Sequence, residues 1–337
     1  MKQLLAALSE TSATSGREEA VAAALMSALQ GLVDSVSTDV LGNVIATISG
    51  TGTSPRKIML TAPMDQSGLM VIDIEESGYL RIGTIGSVAL ERSIGARVAF
   101  ANGTLGMVGV EPDTETKDLH ANRLFIDIGV TSKEEAARKV RVGDTCAFVT
   151  PFIDFENGRV AGAALSSRAA CCAIVDVVRR IGKLQDDLII VFTAQKEVGR
   201  RGVGPAVYGI DPDVALALSG TEAGDVPEGK RTLCVGAGPC IKIMDGSAII
   251  PSHLREWLSA VADEHHVAFQ WEIRPQVRSD AGAILTTRAG IAVGALSIPA
   301  RYMGSSSEVI DLGDVEAATK LLLHALQSDR LSTIIGR

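Results

Sequence analysis

The 337-residue sequence is poor in aromatic residues and in histidine, and it contains no long apolar or basic run. Phe, Trp and Tyr make up 4% of it, and 40 acidic residues outnumber 32 Lys and Arg, giving a formal net charge of −8. Nucleic-acid and anionic-membrane surfaces need concentrated positive charge, usually interleaved with aromatics, so neither is expected as a main partner. No stretch approaches the roughly 18 consecutive apolar residues of a membrane helix. The opening Met1-Lys2-Gln3-Leu4-Leu5 runs into Ser9, Glu10 and Thr11 without the apolar core of a signal peptide, so a cytoplasmic location is expected. Cys146, Cys171, Cys172, Cys234 and Cys240 are odd in number and include no C-x-x-C pair. Buried thiols in a reducing compartment are the expectation.

What is present points to a packed core. Hydrophobic residues account for 46% of the chain and charged ones for 21%, and the length suits one large domain with a smaller one. Helical periodicity opens the chain through Leu4, Leu5 and Leu8, then Val21, Ala22, Leu25, Leu29 and Leu32. Ser15 is placed to cap the second helix, with Glu18 three residues on. Short apolar runs at 43–48, 57–62, 188–193, 214–218 and 291–298 read as strands buried on both faces. Helical patterns at 168–181, 252–265, 281–288 and 315–326 alternate with or follow them. That rhythm predicts an α/β fold with a mainly parallel sheet flanked by helices.

Between 69 and 160 the rhythm breaks. Apart from a helical pattern at 133–139, short β-like pieces at 78–83, 97–100, 106–110, 124–128 and 145–150 are punctuated by Asn102-Gly103, Gly143-Asp144 and Asn157-Gly158. The expected organisation is a discontinuous α/β domain, 1–68 with 161–337, carrying an inserted small β-barrel-like domain at 69–160. No internal repeat supports an array fold.

In an open α/β sheet, chemistry collects beyond the carboxyl ends of the strands. There the chain reads Pro63-Met64-Asp65-Gln66-Ser67-Gly68, Ala194-Gln195-Lys196-Glu197-Val198-Gly199, Ser219-Gly220-Thr221, and Arg301-Tyr302-Met303-Gly304-Ser305. Ala164-Leu165-Ser166-Ser167 precedes the helical pattern that begins at Arg168, for which Ser166 or Ser167 is the expected cap.

These segments, in this order, with Phe125-Ile126-Asp127-Ile128-Gly129, Asp280-Ala281-Gly282 and the strings at 195–202 and 298–302, resemble the glutamyl/deblocking aminopeptidase family (metallopeptidase family 42) along essentially the whole chain. Its best-known members form tetrahedral dodecamers, and some relatives are labelled endoglucanases. The resemblance implies a zinc-aminopeptidase-like fold and a hydrolase using two divalent metals, zinc or cobalt. It also implies where their ligands belong: His at position 63, a bridging Asp at 166, the base and a ligand Glu at 196 and 197, Asp at 219, and His at 304. This chain has Pro63, Ser166, Lys196, Ser219 and Gly304 at those places, keeping Glu197 as the one ligand and Asp65 as a supporting carboxylate.

Two adjacent divalent ions are held because several carboxylates and imidazoles neutralise them while they acidify a bridging water. Pro63 and Gly304 offer no side-chain donor, the serines offer neutral hydroxyls, and Lys196 puts a cation where a base and metals belong. No metal cofactor is therefore expected. The histidines, His120, His253, His265, His266 and His324, are read as surface or capping residues. A serine–lysine mechanism through Ser166 or Ser219 lacks anything to set its geometry. Lys196 is expected to pair with Glu197, Asp65 or another carboxylate. Lys196 and Arg301 together offer positive charge to a peptide or small anion, although a salt-bridged Arg301 is the more ordinary arrangement. The expected protein is a non-catalytic homologue that binds or assembles through the old cleft. By resemblance it is a homo-oligomer, from dimer up to dodecamer, or a partner of an active paralogue. The alternative is an active metal-dependent aminopeptidase or other hydrolase with a rebuilt site.

Overall fold

In the computed structural model, which describes residues 1–331 and 334, the apolar runs assemble into an eight-stranded sheet. Its order is Ser35–Thr38, Val44–Ile48, Asp187–Thr193, Lys57–Pro63, Val214–Glu222, Ala292–Ala300, Cys240–Asp245 and Gln270–Arg274. The central block, from Asp187–Thr193 to Ala292–Ala300, is parallel throughout, and the outer pairings include antiparallel ones. Ile58, Met59, Leu60 and Ala62 are all buried, as are Leu188 to Thr193, because helices cover both faces of these strands. Residues 332–333 and 335–337 of the expected α/β unit lie outside the described residues.

Three of these eight strands escape the sequence reading, Ser35–Thr38 at one edge and Cys240–Asp245 with Gln270–Arg274 at the other. Cys240–Asp245 and Gln270–Arg274 carry Lys242, Asp245 and Glu272, which spoil an apolar pattern, yet all three are buried. Lys242 Nζ lies 2.6 Å from Glu272 Oε1 and 3.8 Å from Asp245 Oδ2, so the charges answer one another inside the sheet.

The Leu165–Arg180 helix packs across the parallel block, and almost all of it is buried. Its run of Ala169, Ala170, Cys171, Cys172 and Ala173 lets backbone approach backbone closely, and the Cys171 thiol donates to Pro63 O at 3.3 Å. Burial pushes that thiol up to about 12, so it is an inert packing group rather than a nucleophile.

The region that breaks the α/β rhythm closes into a barrel of Gly68–Ile74, Leu80–Ile85, Leu124–Asp127, Leu105–Val110, Arg97–Phe100 and Thr145–Phe148. Leu69, Val71, Ile82, Val98, Phe100 and Ile126 form a core of its own, distinct from that of the large sheet. Ile72, Leu105 and Met107 remain exposed on its outside. Among the described residues no helix is long and apolar enough to cross a membrane.

Candidate functional site

The Lys57–Pro63 strand ends on a proline, which stops the ladder and turns the chain over the sheet edge; Met64 N then donates to Thr193 O at 2.9 Å. That turn buries Asp65. Its Oδ2 accepts from Ser15 Oγ at 2.6 Å and from Glu197 N at 2.9 Å, while Oδ1 has no partner. Ser15 is therefore not the helix cap the sequence suggested: the second helix is Glu19–Leu29, and Ser15 spends its hydroxyl on Asp65. Burial raises the Asp65 pKa, opposed by those two hydrogen bonds.

The turn after Asp187–Thr193 is braced from below. Asn43 accepts from Ala194 N at 2.8 Å and donates to Gly202 O at 2.9 Å, and Glu18 accepts from Gln195 N at 2.9 Å. This presents Lys196 and Glu197 together. Lys196 Nζ sits 2.5 Å from Glu197 Oε1, with side chains 20% and 10% exposed. Glu197 Oε2 accepts from Ser67 Oγ at 3.0 Å and Ser87 N at 3.2 Å, so both its oxygens are engaged. Burial works against both charges, but each partner outweighs it. Lys196 is held above the ordinary lysine value, and Glu197 below the ordinary glutamate value.

The Leu165–Arg180 helix begins three residues before the expected start. Ala164 is its N-cap at φ 54°, so Ser166 and Ser167 lie inside the first turn and neither caps it. The capping acceptor comes from far along the chain. Buried Glu308 receives Ser166 N on Oε2 at 2.7 Å and Gly304 N on Oε1 at 3.1 Å. A carboxylate at a helix N-terminus answers both the free N–H groups and the dipole there.

These pieces enclose a cleft of about 390 Å³ to which Pro63, Ser166, Lys196, Glu197, Gly304 and Glu308 all contribute. Three positions singled out in the sequence, Ser219, Arg301 and Asp65, do not line it. Ser219 is turned into the sheet, its Oγ 3.5 Å from Ser297 Oγ, and the neighbouring Gly220 and Thr221 line the cleft instead. Arg301 takes the salt-bridged arrangement given above as the more ordinary one, clamped by Asp225 through both its Nε and Nη2, and it does not line the cleft beside Lys196. His265 is likewise remote from the cleft, stacked on His324 at 3.6 Å. Asp65 lies behind the wall, reaching the cleft only through Glu197 N.

Several residues around the cleft hold positive φ without being glycine: Ala164, Gln195, Arg200 and Tyr302. Such conformations cost on the order of 1 kcal/mol or more each and persist where surrounding structure enforces them. Gly304 also sits at φ 74°, and a Cβ built there would lie 2.4 Å from Ser87 O. Gly304→Ala is accordingly expected to lower stability by about 2 kcal/mol, read from the urea midpoint at unchanged slope; a variant as stable as the parent would show that the 87–89 segment yields freely.

Asp280 completes the buried charge cluster. Its Oδ2 accepts from Thr193 Oγ1 at 2.7 Å and its Oδ1 has no partner. Burial pushes its pKa up to about 6, against the pull of Thr193 and Lys196. A raised carboxylate contributes stability that is present below the unfolded value near 3.8 and is lost as pH rises through about 6. Asp280→Asn, which keeps the Thr193 acceptor, should therefore stabilise the protein at pH 7 by roughly 1–3 kcal/mol and have no such effect near pH 3.5. Parallel denaturation curves at the two pH values check this, and an equal change at both would refute it.

Glu308 and Asp280 were not recognised as site residues from sequence, nor were Ser67 and Ser87. Nothing in a single sequence marks a glutamate as the cap of a helix that starts 143 residues earlier, at Leu165. Asp280 was visible only inside the string Asp280-Ala281-Gly282, without a role. Among the described residues no group of three or more His, Cys, Asp and Glu side chains is arranged to hold a metal ion.

With this geometry established, the chain can be set against known proteins. The family model described as M42 glutamyl aminopeptidase matches residues 42–321. The lysyl aminopeptidase of Pyrococcus furiosus is 35% identical over 312 residues, spanning 89% of this chain and 88% of the relative. An aminopeptidase structure from the archaeon Desulfurococcus kamchatkensis superposes with a TM-score of 0.94 at 33% identity, over 98% of this chain and 96% of the other. The TET1 peptidase of Pyrococcus horikoshii, described as assembling into a tetrahedron or a large octahedral shell, superposes at 0.84 with 26% identity, over 96% and 98% of the two chains.

Proposed function

The chain belongs to the M42 glutamyl aminopeptidase family, and from that premise we propose that it is a member whose cleft binds a ligand without hydrolysing it. One observation carries the reading: the ammonium of Lys196 lies 2.5 Å from Glu197, the single carboxylate left at the ligand positions lining the cleft. The family's dinuclear chemistry needs several anionic or imidazole donors converging on two cations. Pro63 and Gly304 supply none, Ser166 supplies a hydroxyl, Ser219 faces Ser297, and Glu197 is already neutralised. These residues do not fit a metal pair. A base is missing too. Lys196, held protonated by its partner, has no lone pair with which to accept a proton from water.

On the same reading the α/β unit comprises 1–68 and 161–337, and the β unit 69–160 forms part of the cleft wall through Ser87 and Phe148. The chain self-associates, as the TET1 peptidase does; exposed Ile72, Leu105 and Met107 on the barrel offer apolar surface for it. Sedimentation velocity should find an assembly larger than one 35.2 kDa chain.

The test of function is turnover. A panel of aminoacyl amides covering acidic, basic and apolar side chains, offered with zinc, cobalt or manganese, should be cleaved no faster by this protein than by its Glu197→Gln variant. Metal-stimulated cleavage that Glu197→Gln abolishes would sink the proposal and favour a rebuilt hydrolase.

A further inference from the structure

Once the paired charges of the cleft are set aside, what remains is positive. Glu197 is neutralised by Lys196, both Glu308 oxygens are occupied by backbone N–H groups, and Glu222 faces Arg92 at 3.7 Å. Arg200 and Arg278 also line the cleft, yet neither guanidinium makes a hydrogen bond or ion pair among the described residues. Other arginines contrast with them: Arg56 is satisfied by Asp186, Arg81 by Glu75 and Glu111, and Arg301 by Asp225.

Both come from loops that are held in place. Arg200 N donates to Lys196 O at 2.9 Å and Arg201 N to Gln195 O at 3.1 Å, fixing the first loop. Arg278 precedes Ser279, whose N and Oγ donate to Asp245 Oδ2 at 3.1 Å and 2.6 Å; Gly246 N holds Val277 O at 2.7 Å. The Thr193–Asp280 hydrogen bond then brings the bases of the two loops together, because Asp280 follows Arg278 by two residues and Thr193 leads into the turn bearing Arg200. Consistent with this, the Arg200 charge is near enough to draw the buried Asp280 carboxyl downward. Two planar guanidinium forks on anchored loops, with no internal partner, suit an oxyanion, which they can receive bidentately. The cleft, at about 390 Å³, is of small-ligand size.

Resting on the binding-only reading above, we propose that Arg200 and Arg278 form a carboxylate-binding subsite for a small ligand of dipeptide size. Isothermal titration of the full-length protein at low salt, with Ala-Ala, Ala-Ala amide and inorganic phosphate as probes, tests it. Ala-Ala should bind, and its amide should bind at least about tenfold more weakly, since the charge-assisted hydrogen bonds are lost. Arg200→Gln and Arg278→Gln should each weaken Ala-Ala about tenfold and leave the amide unchanged, with Arg200→Lys recovering part of the loss. Acid and amide bound equally by the native chain would overturn the subsite, whatever the variants do. Phosphate binding as tightly as Ala-Ala would overturn the carboxylate assignment. Release of alanine during the titration, followed by NMR, would refute the binding-only reading, whereas an intact dipeptide that ignores its carboxylate would refute the arginine subsite alone.

Discussion

Lys196→Met is expected to cost about 3–5 kcal/mol at pH 7, the scale on which removing one partner of a buried ion pair destabilises a protein. The ammonium is the cation nearest Glu197, and its charge also bears on buried Asp65 and Asp280. Without it, Glu197 would face two buried carboxylates, each with an oxygen already lacking a partner. Methionine matches the aliphatic stem, so packing changes little and the loss is electrostatic. The pH dependence has a defined sign. In the native protein Glu197 is depressed, so its contribution is present above the unfolded value of 4.5 and is lost as pH falls through the folded one. Lys196 is raised, so its contribution is complete below 10.5 and is lost as pH climbs through its folded value. In the variant the uncompensated carboxyls move the other way, toward protonation. The gap between the two proteins should therefore be widest between about pH 6 and pH 9 and should close near pH 4. Urea denaturation across that range measures it; a penalty under 1 kcal/mol, or one that does not depend on pH, would show that Lys196 is a solvated surface charge.

The second large effect concerns metal uptake by a chain with donors added. Lys196→Glu combined with Pro63→His and Ser166→Asp removes the Lys196 cation, places a carboxylate base there and adds two ligands beside Glu197, all at positions lining one cleft. Such a set is enough for one zinc with a fourth ligand, and the triple variant should bind about one ion per chain where the parent binds none. Adding Gly304→His should not raise the count, because the new Cβ would meet Ser87 O at 2.4 Å with the backbone at φ 74°. Ser219→Asp should fail for a different reason: its side chain is directed at Ser297 rather than the cleft. A variant carrying all five substitutions that binds two ions would contradict both structural statements.

Much of this was legible in the sequence because it rests on continuous apolar runs. Runs such as 57–62 and 188–193, short, aliphatic and bounded by turn residues, read as strands buried on both faces, and they led straight to the segments that bear Asp65, Lys196 and Glu197. The break in rhythm after residue 68 likewise marked the barrel. What stayed hidden depends on contacts between distant segments. Lys242 and Glu272 disguise two strands because their charges cancel only once the strands lie side by side. Ser15 and Ser166 carry the right chemistry for caps, yet Asp65 claims the first and Glu308 replaces the second. A salt bridge was the more ordinary expectation for Arg301, but its partner, Asp225, shows only in the fold. The pair Arg200 and Arg278 was passed over because a sequence cannot show which arginines are left without a carboxylate.

The electrostatic claim comes down to a stoichiometry. Protein purified without chelator, dialysed against excess zinc and then against metal-free buffer, should retain no zinc at the cleft when assayed by inductively coupled plasma mass spectrometry, and Glu197→Gln should not change the value. About two zinc ions per chain, falling when Glu197 is replaced, would mean that Lys196 does not hold the cleft and that this protein keeps its family's metal chemistry.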